Sequence, residues 1–119
     1  MSKRVLVIDD EHTIQKLVAS RLEASGYQIV AANDGLEGLA KLKSERPDLI
    51  VLDIQMPTMD GYTFLIELKK LTEFRNIPVI VLTAKDKMED LFRLEGVKEY
   101  LVKPFQAEDL LIAVKKHIG

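Results

Sequence analysis

Three carboxylates, Asp9, Asp10 and Glu11, follow directly on the apolar run Val5–Ile8 in "VLVIDDEH". A further aspartate, Asp53, closes "LIVLD", Thr83 closes "VIVLT", and Lys103 precedes Pro104 in "YLVKP". Acids set against a buried run repel one another and are costly to desolvate. A hard divalent cation such as Mg²⁺ relieves both problems, taking a few carboxylates together with waters and a phosphate oxygen. Two of Asp9, Asp10 and Asp53, plus one main-chain carbonyl, satisfy the protein's share of such a site. The remaining acid is then available as a nucleophile, because aspartate attacks phosphorus to give an aspartyl phosphate. Charge develops on the equatorial oxygens during transfer, where Lys103, Thr83 and the metal would stabilise it.

That chemistry requires elements that bring distant residues together. Short β-branched apolar runs at Val5–Ile8, Ile29–Ala32, Leu49–Leu52 and Val79–Leu82, with a weaker one at Tyr100–Val102, read as strands buried on both faces. Ile14, Leu17, Val18 and Leu22 have the spacing of an amphipathic helix, as do Ala107, Leu110, Leu111, Val114 and Ile118. Further helices are expected over Leu36–Ser44, Gly61–Leu71 and a short Lys87–Glu95. Asp34 with Glu37, and Asp86 with Glu89, have capping-box spacing, while Gly26 and Gly96 stand where helices would stop. Strands alternating with helices predict a parallel sheet with helices on both faces. Ligands in such sheets bind beyond the carboxyl ends of the strands, at the point where strand order reverses. Asp9, Asp10, Asp53, Thr83 and Lys103 all stand at those ends, whereas Asn33 and Asp34 after strand two read as a helix cap at the sheet edge.

Each residue alone has a plainer explanation. "DDE" after a strand reads as a helix N-cap, Asp53 as a turn or cap residue, Thr83 as an ordinary strand end and Lys103 as a solvated lysine. Pro104 reads as a loop breaker and Gly61 as a turn glycine. The constellation is more specific than its parts, since four of the five expected strands deliver matching chemistry to one end.

Composition removes other classes. The 119 residues suit one domain, expected to span 1–119 with no output domain, and 47% apolar with 30% charged content is that of a globular chain. A formal charge of −2 suggests neither a nucleic-acid nor a membrane partner. The absence of cysteine excludes disulfides, zinc-thiolate sites and thiol catalysis. The first apolar run is too short for a signal peptide or a span, so a cytoplasmic location is expected. No GxxxxGK[ST] or GxGxxG loop points to nucleotides, and "DGLEGL" has its glycines at the wrong spacing. Of the two histidines, His12 reads as an exposed first-turn residue and His117 as a favourable cation at a helix C-terminus.

"VLVIDDE", "PDLIVLDIQMPTMDGYTFL", "IPVIVLTAK" and "YLVKPF" resemble, in order and over essentially the whole chain, the signature blocks of the receiver domain of bacterial two-component response regulators, of the single-domain chemotaxis-regulator kind. The resemblance implies a doubly wound, flavodoxin-like (βα)5 α/β fold with a parallel sheet in order 2-1-3-4-5. It implies Asp53 as the phosphoacceptor from a sensor histidine kinase or phosphotransfer protein. Asp9, Asp10 and Asp53, with the main-chain carbonyl of Gln55, would hold Mg²⁺. Thr83 would bond the phosphoryl oxygens, Lys103 would pair with them, and Tyr100 would turn inward when the threonine engages. The Lys103–Pro104 peptide is expected to be cis. By the same resemblance the first helix would dock on the kinase through Leu17, Ser20 and Arg21, with Leu17 as a core residue the alternative. Gln55 and Lys85 occupy positions that influence water access.

One departure concerns the stretch between Thr83 and Tyr100, which is about two residues shorter than the usual pattern. It bears on the switching surface formed by the Lys87–Glu95 helix, the fifth strand and the last helix. Two other functions compete with a stoichiometric phosphoacceptor that assists its own phosphorylation and dephosphorylation. One is a pseudo-receiver interaction module whose output is independent of phosphorylation. The other is a Mg²⁺-dependent phosphohydrolase, which usually needs a second aspartate two residues after the nucleophile, where this chain has Gln55.

Overall fold

A computed structural model describes residues 2–54, 59–84 and 97–119. The elements run β1 (Arg4–Ile8), α1 (His12–Glu23), β2 (Gln28–Ala32), α2 (Gly35–Glu45), β3 (Leu49–Asp53), α3 (Gly61–Lys70), β4 (Val79–Ala84), β5 (Val97–Lys103) and α4 (Ala107–Ile118). All strand pairs are parallel and the order is β2-β1-β3-β4-β5, so the fold is the expected flavodoxin-like one. Strand order reverses between β1 and β3, whose carboxyl ends carry Asp9 and Asp53.

Alternation along the strands builds a core on each face of the sheet. Leu6, Ile8, Ile50, Leu52 and Val81 pack with Leu42 of α2 and Phe64 and Leu68 of α3. Val5, Val7, Leu49, Val51, Ile80 and Leu82 pack with Val18 and Leu22 of α1 and Leu110 and Val114 of α4. The carboxyl end of the sheet is therefore held from both sides.

Local signals fix most boundaries. Asp34 caps α2 by accepting the Glu37 amide at 2.8 Å, and Asp60 caps α3 by accepting that of Thr63 at 2.8 Å. After α1 the chain turns at Gly26, whose φ of +97° is open to glycine. Arg46 ends α2 in the left-handed region at φ +47°, its guanidinium lying 5.5 Å from the Phe74 ring centroid. Gly61 is more than a turn residue, because a Cβ there would lie 2.7 Å from Ile54 Cα. β5 runs longer than the apolar triplet Tyr100–Val102 suggests, since it is an edge strand whose pairing with β4 extends back to Glu99 and, across a register shift at Lys98, to Val97. The "DDE" run does not cap α1 by a side chain: Glu11 is the N-cap residue and its carboxylate makes no capping bond.

The expected helix Lys87–Glu95, the Asp86 with Glu89 cap, the stop at Gly96, most of the shortened stretch before Tyr100, Lys85 and Gln55 lie outside the described residues. Among the described residues no helix is long and apolar enough to cross a membrane.

Candidate functional site

At the carboxyl edge of the sheet, β1 delivers Asp9 and Asp10, and β3 delivers Asp53. One carboxylate oxygen from each of the three lies within 4.8 Å of the others. Asp9 is fully buried and Asp53 is 3% exposed, while Asp10 faces solvent. Across the sheet, β5 brings the Lys103 ammonium to 3.4 Å from Asp53 Oδ2, 3.6 Å from Asp9 Oδ2 and 3.5 Å from Glu11 Oε1. The peptide from Lys103 to Pro104 is cis.

The electrostatics follow from burial. Desolvation pushes the Asp9 carboxyl above its ordinary range; the Glu11 amide and Lys103 oppose the shift, while Glu11 and Asp10 add to it. Burial alone would lower the Lys103 ammonium, but the negative charges of Asp53, Asp9 and Glu11 outweigh it and hold Lys103 above its usual value. One cation thus serves three carboxylates.

Asp9 Oδ1 accepts the Glu11 amide at 2.9 Å, whereas Asp9 Oδ2 is buried without a hydrogen-bond partner. An oxygen-only donor set holding an orphaned carboxylate oxygen, open on the Asp10 side, fits a hard divalent cation such as Mg²⁺. Zinc or copper would call for the nitrogen or sulfur donors that this cluster lacks.

Thr83 is brought to the same edge, in the residue after Leu82, the β4 partner of Asp53. Its hydroxyl is buried and donates to the Ala84 carbonyl at 3.2 Å. Tyr100 sits three residues before Lys103 on β5, half-buried against the core shared with α2 and α3, and burial raises its phenol pKa. Leu17 is 44% exposed, which removes the core alternative, and Ser20 beside it is exposed too. Arg21 is instead engaged with Glu108 of α4.

Sequence reasoning missed two features. In the sequence Glu11 reads only as part of an acidic run, whereas in the structure it shares Lys103 with the buried aspartates. A polar network around Gln15 and Asn33 also reaches the Asp9 main chain: Gln15 Nε2 donates to Asp9 O at 2.6 Å and lies 3.0 Å from Asn33 Oδ1. His12, exposed as expected, reaches the same Asn33 oxygen at 3.0 Å. The polar positions of the first α1 turn were the available signal, but polar residues on an amphipathic helix usually face water.

Comparison with known proteins bears on this arrangement. The family model described as the response regulator receiver domain matches residues 5–115. Protein PilG of Pseudomonas aeruginosa is 39% identical over 97% of this chain and 87% of its own length. The alkaline phosphatase synthesis transcriptional regulatory protein PhoP of Bacillus subtilis is 41% identical over 97% of this chain, which spans only 48% of that relative. Among solved structures, the chemotaxis response regulator CheY4 of Vibrio cholerae superposes with a TM-score of 0.90 at 31% identity, covering 99% of this chain and 100% of its own.

Proposed function

Since this chain belongs to the response regulator receiver domain family, we propose that it accepts a phosphoryl group on Asp53 from a histidine kinase or phosphotransfer protein. The phosphorylated form then signals by protein contacts in the cytoplasm. The observation that carries this reading is the gathering of Asp9, Asp10 and Asp53 within 4.8 Å, with Lys103 3.4 Å from Asp53.

Asp53 Oδ attacks phosphorus; the phosphorus–oxygen bond forms as the bond from phosphorus to the donor's imidazole nitrogen breaks, and the nitrogen leaves with the bonding pair. Lys103 moves from the carboxylate to the incoming phosphoryl oxygens, and the Thr83 hydroxyl turns from the Ala84 carbonyl to donate to them. Asp9, Asp10 and Asp53, with the main-chain carbonyl of Gln55, would hold Mg²⁺. When bound, Mg²⁺ supplies charge neutralisation for the carboxylates and the transferring group. Asp10, being exposed, leaves the pocket open to water, which later hydrolyses the acyl phosphate. The protein is thus a stoichiometric acceptor rather than a turnover enzyme.

Phosphoramidate labelling tests this reading. One hydroxylamine-labile phosphoryl group per chain is expected, formed about 10²-fold more slowly in Lys103→Met, on the scale of losing one charge-stabilising donor. A hydroxylamine-stable label, or a rate unchanged in Lys103→Met, contradicts it.

A further inference from the structure

The side chain of Gln15 folds back over the ends of β1 and β2. Its Nε2 lies 2.6 Å from Asp9 O, 3.1 Å from Ala32 O and 3.0 Å from Asn33 Oδ1. Two of these partners are main-chain carbonyls, so only the NH₂ end of the amide can face them. Ala32 O also accepts the Asp9 amide at 3.1 Å. Asp9 is therefore fixed at three points, its N–H by Ala32, its carbonyl by Gln15 and its Oδ1 by the Glu11 amide, which leaves Oδ2 without a hydrogen bond and 3.6 Å from the Lys103 ammonium.

Asn33 is oriented in turn. Its Nδ2 and N–H both donate to Glu37 Oε2, at 3.2 and 3.3 Å, so its Oδ1 is the end turned toward Gln15 and His12. A chain of hydrogen bonds runs from the first turn of α2 through Asn33 and Gln15 to the peptide joining Asp9 and Asp10.

We infer that Gln15 is a positioning residue for the cation site: it sets the plane of the Asp9–Asp10 peptide and thereby the direction in which Asp10 presents its carboxylate to Asp9 and Asp53. This rests on the reading of the pocket as a Mg²⁺-dependent phosphoacceptor site. Asp10 makes no hydrogen bond of its own among the described residues, so its aim depends on the backbone that carries it.

The test is calorimetric titration of the full chain with Mg²⁺, for the unmodified protein, Gln15→Leu and Asn33→Ala, alongside melting in EDTA. Leucine keeps much of the volume and removes the donor; Asn33 is exposed, so its alanine variant folds even where Gln15→Leu does not. Mg²⁺ affinity should fall about tenfold in Gln15→Leu, the lower end of losses seen when groups orienting metal ligands are removed, and by a smaller factor in Asn33→Ala, which reaches Asp9 only through Gln15. In acetyl phosphate labelling, the Mg²⁺ concentration for half-maximal rate should rise by the same factors, while the rate at saturating Mg²⁺ stays within about twofold. That split distinguishes positioning from general loosening, which would lower the EDTA melting temperature and the saturated rate together. Mg²⁺ affinity within twofold of the unmodified protein in each variant that folds overturns the inference and leaves the phosphoacceptor reading standing. Failure of the unmodified protein to bind Mg²⁺ overturns that reading and this inference with it.

Discussion

Burial raises the Asp9 carboxyl pKa, and the Glu11 amide and Lys103 do not fully offset it. Between the unfolded value near 3.8 and the higher folded value, the folded state binds more protons, so this group makes stability fall as pH rises. In EDTA at neutral pH, Asp9→Asn should therefore raise the melting temperature by a few degrees and abolish the Mg²⁺ response. The gain over the unmodified protein should vanish as pH falls below about 3.8. Thermal melts of both proteins across pH 3 to 7 check this, and a gain that grows in acid would contradict the assignment. Lys103 has the opposite sense: its folded pKa is raised, so its contribution is complete below 10.5 and is lost as pH rises through the folded value. Lys103→Met should destabilise the metal-free protein by about 1–3 kcal/mol, the scale of hydrogen bonds to charged groups, with the deficit shrinking in alkali. Urea unfolding at pH 7 and above pH 10.5 measures it.

At the scale of elements, two glycines of similar appearance in the sequence separate in the structure. A Cβ on Gly61 meets the Ile54 backbone at 2.7 Å, whereas one on Gly38 meets the flexible end of Ile8 at 2.5 Å. Backbone cannot give way as a side-chain terminus can. Gly61→Ala should lose about 1–3 kcal/mol through overpacking, and Gly38→Ala should stay within about 1 kcal/mol, because helix propensity offsets the repacking of Ile8. Urea midpoints of the two variants decide between them, and equal losses would contradict the distinction. The same comparison explains what was legible beforehand. Strands β1, β3 and β4 were readable because burial on both faces leaves unbroken apolar runs; β2 is apolar in sequence although, as an edge strand with Gln28 and Ala31 exposed, it is not buried on both faces, and α2 was readable because Asp34 and Glu37 mark its start. β5 was read short because an edge strand tolerates Lys98 and Glu99. Gln15 was not legible, because its importance lies in contacts with residues 9, 32 and 33 that no periodicity encodes.

For the whole molecule, the parallel sheet gathers the ends of β1, β3, β4 and β5 at one edge, where Asp9, Asp10 and Asp53 cluster beside Thr83 and Lys103. Any cation bound there stabilises the folded state alone. At a hundredfold excess over Kd, Mg²⁺ should add about 2.7 kcal/mol, whereas Asp53→Asn should weaken that increment. Differential scanning calorimetry with and without Mg²⁺ tests it, and a melting temperature indifferent to Mg²⁺ would count against the cation site. The site's chemistry depends on Asp53 accepting the phosphoryl group. Intact-mass analysis after incubation with acetyl phosphate, with and without Mg²⁺ and alongside Asp53→Asn, examines it most directly. A single phosphoryl adduct that requires Mg²⁺ and is absent from Asp53→Asn is the predicted result. No adduct on the unmodified chain, or an adduct that persists in Asp53→Asn, would contradict it.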